Sequence, residues 1–464
     1  MILYSKRQVR SFLLSGAFQH VLQQENAKMF VSEKLIDEVS LVTENFKILP
    51  KVYRLTASLD RFVHLVALWR HKDRGMLYKV RALCQFGKRI ERDEWKSVLN
   101  YEIENWGEAK RFLVRFCANT HIFNLLNRLR KFVFKIESKK TVWNSSFSQF
   151  DTNIMLIPYG GHLSDYPSFL INFCKAKGIK AMLLQENWDN LNSKYFLLDE
   201  PDIFLTWGKQ SSSFLRTLQG FEKCKVIEAG SPLRMRSNGS RDGTLAEVLV
   251  ESFEGKIKVK ELNYVLVTGT GDGIEDLDLL KTIFEKLAVN DEIHIIFRPH
   301  PFSRNKLNKE VAFSIDKRIL YSDSAVKEPI ETIQSLVANA ILVVNYFSTV
   351  ALQALLNHKP VILPTFGGLP NANYKWDRVA NEASHWTGIL ALNGVTVVES
   401  REELQNAIHQ LISEKVRNTD KCTQSNLQKN KNISWFCEAV DYPKVLLHTV
   451  NKHIDSTHIS LTNE

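Results

Sequence analysis

Ile295-Ile296-Phe297-Arg298-Pro299-His300-Pro301 decides how this 464-residue chain is read. A short apolar run ending in Arg-Pro-His-Pro reads as a buried parallel strand with a guanidinium and an imidazole at its carboxyl end. The flanking prolines restrict the backbone, so the His300 imidazole is aimed rather than mobile. Further along, Ala340-Ile341-Leu342-Val343-Val344-Asn345 reads as a second buried strand. It runs through Tyr346 and Phe347 into Ser348-Thr349, a helix from Val350 to Asn357, and a strand from Pro360 to Pro364. In open α/β sheets, ligands bind where strand carboxyl ends meet helix N-termini, and those N-termini favour phosphate. The pattern predicts a pocket for a nucleotide mono- or diphosphate. Arg298 and His300 would neutralise charge growing on a leaving phosphate.

Ser348 and Thr349 are, taken alone, ordinary helix caps. The buried strand before them and the Arg-His corner in the same domain favour phosphate contact. Gln353, one turn on, faces roughly the same way and suits a ribose or sugar hydroxyl. Around these elements, residues 241–430 read as one Rossmann-like domain opening at Tyr264-Val265-Leu266-Val267. Gly269-Thr270-Gly271-Asp272-Gly273 follows, one residue short of a G-x-G-x-x-G match, and then a helix from Leu277 to Leu287. Gly269 and Thr270 serve either close backbone approach to a ligand or a tight turn. Further strands are expected at Arg318 to Tyr321 and Ile389 to Leu392, with a final helix from Arg401 to Ser413.

Residues 1–240 read as a second Rossmann-like domain with helical segment 46–138, whose spacing shows in Leu59, Phe62, Val63 and Val66. Its strands are expected at Asn153 to Pro158, Lys180 to Leu184, Asp202 to Leu205 and Lys225 to Ala229. A polar linker, Arg234 to Gly243, precedes an expected helix from Leu245 to Phe253. The run 416–432 looks mobile, and residues 431–464 are expected to return as a tail and helix on the first domain. The dense polar stretch Gln185 to Lys194 follows a buried strand and offers Glu186 and Asp189 as general bases. A capping and turn segment is the plainer reading of the same residues. Tyr159-Gly160-Gly161-His162 offers His162 as a further candidate. Residues 122–136 form a basic amphipathic helix, read either as a core-packing helix with a solvated face or as a membrane-surface element.

A hydrophobic fraction of 44% and a charged fraction of 24% describe a globular chain long enough for two cores. The net charge of +10 is concentrated between Arg70 and Lys140 and between Lys415 and Lys452. That suits a solvated surface, an anionic lipid surface or an anionic nucleotide substrate. No basic stripe interleaves with aromatics, so nucleic acid is not an expected partner. The six cysteines form no C-x-x-C pair and no Cys/His zinc spacing, so reduced thiols in the cytoplasm and no metal are expected. Met1 to Leu14 lacks a small-residue cleavage site, and no apolar run reaches the roughly eighteen residues of a spanning helix.

With these residues in hand, the chain resembles bacterial surface-polysaccharide glycosyltransferases of GT-B architecture. The broad group includes CDP-glycerol glycerophosphotransferase-like and capsule-synthesis proteins. Three anchors carry the resemblance: Glu186 to Lys194 with Pro201-Asp202 and Trp207-Gly208; Gly230-Ser231-Pro232; and Arg298 to Pro301 with Ser348 to Ala354. It implies an α/β fold of two Rossmann-like domains facing across a cleft, the donor nucleotide held by the second. It also implies a nucleotide-activated sugar, a glycan or lipid-linked acceptor, and neither metal nor other cofactor. Asp276-Leu277-Asp278 matches D-x-D but sits at a helix start, where acidic residues are ordinary. The family often has an acidic residue where this chain has Gln353. Glycerophosphate transfer, nucleotide-sugar epimerisation and a non-catalytic scaffold on the same fold stay open.

Overall fold

The structure is a computed structural model that describes residues 1–74, 108–147, 153–160, 166–194, 196–233, 248–270, 273, 275–287, 292–301, 303, 306–323, 330–366, 376, 379–381, 383–417, 433–438 and 440–461. Described residues 1–233 and 434–461 form one compact unit, and 248–433 form the other.

The first unit begins with short parallel strands β1 (Ile2–Leu3), β2 (Phe30–Val31) and β3 (Lys47–Ile48). Its main parallel sheet runs in sequence order through β4 (Ile154–Tyr159), β5 (Lys180–Gln185), β6 (Ile203–Thr206) and β7 (Lys225–Glu228). Helices α1 (Arg54–Arg70), α2 (Glu108–Cys117), α3 (Thr120–Ser138) and α4 (Thr141–Phe147) lie between the two sheets in sequence. Two more, α5 (Tyr166–Lys177) and α6 (Lys209–Thr217), connect the strands.

Alternate strand residues serve two different cores, which is why the strands read as unbroken apolar runs. Leu156, Met182, Leu184 and Leu205 pack with Leu3, Val31 and residues Tyr442, Leu446 and Val450 of the C-terminal helix Tyr442–Leu461. Met155, Ile157, Leu183 and Phe204 pack instead with Trp143, Phe147, Phe169 and Phe173. The Tyr4 hydroxyl donates to the Pro158 carbonyl, and Gln8 Nε2 donates to the same oxygen at 3.1 Å, tying the first strands to β4.

The stretch expected to be helical from residue 46 opens instead with β3. Its amides continue the ladder, Lys47 N to Met29 O and Leu49 N to Val31 O, both 2.8 Å. Lys47 and Ile48 are exposed, so the strand leaves no hydrophobic pattern to read. Helices α1, α2 and α3 then share a core of Val63, Val66, Val114, Cys117 and Phe123 with Phe196. Residues 75–107 lie outside the described residues.

One buried charge network locks this helical segment to the sheet unit. Arg130 of α3 is 0% exposed and reaches Asp60 of α1 at 2.8 Å and Asp199 at 2.7 Å. Asn127 Oδ1 accepts from Arg130 Nε and Nη2 at 3.0 and 2.8 Å, and His64 stands 3.6 Å from Asp60. Burial disfavours ionisation of Asp60, but His64 and Arg130 more than offset it and hold the carboxyl below its ordinary range.

The second unit is built on an eight-stranded sheet. An edge hairpin, β8 (Leu249–Ser252) and β9 (Gly255–Lys258), precedes β10 (Asn263–Thr268), α7 (Asp276–Leu287) and β11 (Ile293–Arg298). Then come β12 (Ile319–Tyr321), α8 (Ile330–Asn339), β13 (Leu342–Asn345), α9 (Thr349–Leu356), β14 (Val361–Pro364), β15 (Val395–Val398) and α10 (Arg401–Arg417). The strand order is β15-β14-β13-β10-β11-β12-β8-β9, parallel except at the edge hairpin. The chain therefore builds outward from β10 on one side through β11 and β12, then crosses back to start β13 on the other.

Two expectations are corrected here. The helix expected from Leu245 to Phe253 is the strand β8 over its described part. Val248 and Val250 are buried while Leu249 is exposed, a period of two, and Gly255 at φ 142° lets the chain turn back. The strand expected at Ile389 to Leu392 is a turn that buries Ile389 and Leu392 and leaves Ala391 exposed, and the strand itself is β15. Gly394 at φ 88° redirects the chain into a run of Val and Thr that pairs with β14. The linker 234–243 lies outside the described residues, as does the polar run 416–432 except for Val416 and Arg417, which are the last residues of α10.

Replacing Arg130 with Ala strands two buried carboxylates and is expected to cost about 3–5 kcal/mol in urea unfolding. Lys131→Ala, whose exposed ammonium lies 3.7 Å from Asp199, is expected to cost less than about 1 kcal/mol. Because the Asp60 pKa is depressed on folding, its contribution is present above about pH 4 and lost as pH falls through the folded value. The acid limb of the stability profile should flatten in Arg130→Ala.

Candidate functional site

In the second unit, the residues singled out from sequence meet at one end of the sheet. Thr268 of β10 pairs in register with Arg298 of β11 on one side and Asn345 of β13 on the other. All three strands thus end level, and β10 with β13 marks the point where the strand order reverses. That crevice is where open α/β sheets take their ligands.

Asn345 organises the crevice. Its Nδ2 donates to Thr268 Oγ1 across the strands and to Ser348 Oγ at 2.8 Å, and its Oδ1 accepts the Ser348 N–H at 2.7 Å. Ser348 caps α9, its hydroxyl accepting the Val350 N–H at 3.2 Å. Thr349 is the next residue and is half-buried; among the described residues its N–H and hydroxyl have no hydrogen-bond partner. The start of α9 thus presents one amide and one hydroxyl from the same residue, a pairing suited to a phosphate oxygen. Gln353 follows one turn later and is buried.

Between strand and helix the backbone is strained. Phe347 takes φ 46°, a conformation a bulky residue adopts only when its surroundings enforce it. The enforcement is aromatic: Phe347 lies edge-on to Trp386 at 5.0 Å, and Trp376 stacks on Tyr346 at 5.1 Å. The Tyr346 hydroxyl is held well above its usual pKa, chiefly by burial and secondarily by Glu275, Asp278 and Asp276.

The glycine loop is shaped by packing. A Cβ on Gly269 would lie 2.5 Å from Asp276 Oδ2 and 3.1 Å from Pro299 Cα, so only glycine lets the loop pass between them. Asp276 Oδ1 accepts the Thr270 N–H at 2.8 Å, and the Thr270 hydroxyl accepts the Gly273 N–H at 2.9 Å. Arg298 is buried, with Nη1 donating to Ser322 Oγ at 2.9 Å and to the Asp323 carbonyl at 3.0 Å. His300 is half-buried just beyond Pro299. Asn345 and Asp276 were not among the residues assigned from sequence. The available signal for Asn345 was an amide closing a run of valines immediately before a helix cap.

In the first unit, the polar stretch after β5 is largely internally satisfied. Gln185 Nε2 donates to Asn187 O and Trp188 O at 3.0 Å and to Ser211 Oγ at 3.1 Å; its Oε1 accepts the Trp207 N–H at 3.1 Å. Trp188 Nε1 donates to Gln210 Oε1 at 2.8 Å, and Asn190 Nδ2 donates to Gly160 O at 3.1 Å. Glu186 is buried, its carboxylate occupying the space a side chain at residue 160 would need. Asp189 is half-buried and the more accessible of the two acids. His162 lies outside the described residues.

The glycines of the other sequence anchors seat the returning C-terminal segment. Glu438 N donates to Trp207 O at 2.7 Å, a Cβ on Gly208 would meet Ser434 O at 2.9 Å, and one on Gly230 (φ 73°) would meet Glu438 O at 2.5 Å. Among the described residues no His, Cys, Asp and Glu side chains group to hold a metal ion, and no helix is long and apolar enough to cross a membrane.

No protein-family model matches the chain, and no curated protein matches it in sequence. Solved structures match in fold across nearly its whole length. A candidate UDP-N-acetylglucosamine 2-epimerase from Listeria monocytogenes superposes with a TM-score of 0.53 at 10% identity, over 98% of this chain and 96% of that one. A second UDP-N-acetylglucosamine 2-epimerase gives a TM-score of 0.50 at 10% identity, with the same coverages of 98% and 96%. The fold is of the GT-B type. CalG4, the calicheamicin glycosyltransferase, gives a TM-score of 0.49 at 10% identity, with 98% of each chain covered. In this GT-B-type chain, the sequence-predicted donor residues Gly269, Thr270, Arg298, His300, Ser348 and Thr349 all lie in the second unit around the β10–β13 switch point.

Asn345→Ala removes the link between Thr268 and Ser348 and leaves the Ser348 N–H unpaired. Thermal unfolding should show a loss of about 1–3 kcal/mol.

Proposed function

We propose that this chain is a nucleotide-sugar enzyme, a glycosyltransferase that moves a sugar from a nucleotide-activated donor to a surface polysaccharide or lipid-linked glycan. The observation that carries the reading is the convergence of Thr268–Thr270, Arg298–His300 and Asn345–Thr349 at the topological switch point. Thr349 offers its amide and hydroxyl to the donor phosphate, and His300 supplies a group that can neutralise the leaving phosphate. Arg298, anchored by Ser322 and Asp323 just beyond β12, sets a fixed positive charge at the same strand ends. Gln353 is assigned to the ribose. Neither a metal nor another cofactor is assigned a role.

On the acceptor side, Asp189 is favoured over Glu186 as the base because Glu186 is the more deeply buried. His162 is kept as a further acceptor-side candidate. Buried free cysteines at 117, 174, 224 and 437 suit a cytoplasmic enzyme.

Thermal shift against UDP, CMP, CDP, GDP and dTDP tests the donor site. One nucleotide, at about a hundredfold over its Kd, should stabilise the chain by about 2.7 kcal/mol. Thr349→Val and His300→Ala should each abolish most of that shift while leaving the unliganded melting point nearly unchanged. If none of the five nucleotides shifts the wild type, the donor assignment is wrong.

A second reading is favoured by the fold likeness itself, since the two structures described above with TM-scores of 0.53 and 0.50 carry the name UDP-N-acetylglucosamine 2-epimerase. An epimerase needs no acceptor. Incubation with UDP-N-acetylglucosamine alone, followed by proton NMR, should show no second diastereomer; its appearance would replace transfer with epimerisation.

A further inference from the structure

Helix α3 is oriented against the simplest hydrophobic logic. Its inward side carries Arg130 and Glu137 together with Phe123 and Phe134, all buried. Arg130 is pinned by Asp60 and Asp199, and Glu137 accepts the Tyr53 N–H at 2.6 Å. These contacts fix the rotation of the helix and leave four large apolar residues facing outward. Leu125, Leu129, Phe132 and Ile136 are between 48% and 67% exposed. At about 100° per residue they fall within about 60° of one another, a single stripe. On the preceding packed helix α2, Phe112 and Phe116 are 70% and 56% exposed and stack on each other at 6.4 Å.

The charge beside the stripe is of one sign. Arg128, Lys131 and Lys135 are exposed along one flank of α3. Glu137, the helix's one carboxylate, is on the buried side. Among the described residues, Arg128 and Lys135 form no ion pair.

We infer that the outward face of α2 and α3 docks on an anionic lipid bilayer. An apolar stripe flanked by cations, of which Arg128 and Lys135 form no ion pair among the described residues, enters the boundary between headgroups and acyl chains while the cations meet lipid phosphates. A second copy of the chain fits less well. Pairing two such faces would bring both sets of cations into one interface, with the one carboxylate of each α3, Glu137, buried on the other side of the helix. The inference does not depend on which reaction the second unit performs.

Co-sedimentation of the full chain with vesicles tests it. Vesicles of phosphatidylcholine with about one-third phosphatidylglycerol should bind at least about tenfold more tightly than pure phosphatidylcholine, and less so as salt rises. Arg128→Glu with Lys135→Glu should erase most of that difference. Leu129→Ser with Phe132→Ser should weaken binding to the anionic vesicles, with melting temperature unchanged as the check on folding. Absence of binding to the anionic vesicles, or equal binding by both double variants and wild type, overturns the proposal. So does a dimer in solution that dissociates on Leu129→Ser with Phe132→Ser while vesicles are ignored, because the face would then belong to a second copy.

Discussion

The Asn345 carboxamide joins β10, β13 and the first turn of α9 through three hydrogen bonds. Each would be replaceable on a surface. Buried at the carboxyl end of a parallel sheet, they set where the helix begins and which of its groups face outward. With Ser348 committed to capping and to Asn345, Thr349 is the residue whose amide and hydroxyl are presented. The left-handed Phe347 is the strain this arrangement carries, and the aromatic packing of Trp376 and Trp386 holds it. Position of the candidate phosphate contact, cap geometry and strained turn are therefore one constraint.

The first unit is governed by a different one. Burying Arg130 is tolerable only because Asp60, Asp199 and Asn127 surround it. Once they do, α3 cannot rotate to bury its remaining apolar residues. The same network that anchors the helical segment therefore leaves Leu125, Leu129, Phe132 and Ile136 outward. A helix positioned by hydrophobic burial alone would have turned those residues in.

Most strands were legible because buried parallel strands are short, apolar and closed by a polar or proline residue, as in Ile293–Arg298 and Leu342–Asn345. Strand β3 was not, since two exposed residues pairing through backbone alone leave no pattern. Strand β8 was mistaken for helix because a brief apolar stretch fits either period until its pairing partner is known. At the site, residue types were legible and their duties less so. Gly269 permits close approach, as the loop suggested, but to Asp276 and Pro299 within the protein. The polar run after β5 advertised catalysis, yet Gln185, Trp188 and Asn190 are engaged in bonds that hold the loop together.

By itself, the sequence determined the α/β class, most of the strand and helix order outside β3, β8 and β15, and the presence of Arg298, His300, Ser348 and Thr349 at strand ends or a helix start. Apolar periodicity and proline placement act over a few residues and can be read without knowing the fold. Only tertiary structure decided that Thr268, Arg298 and Asn345 end level, because parallel register is set by partners distant in sequence. It likewise decided which face of α3 is buried. That choice rests on Asp60 and Asp199, charges that lie 70 residues before Arg130 and well beyond it, and no local pattern announces them.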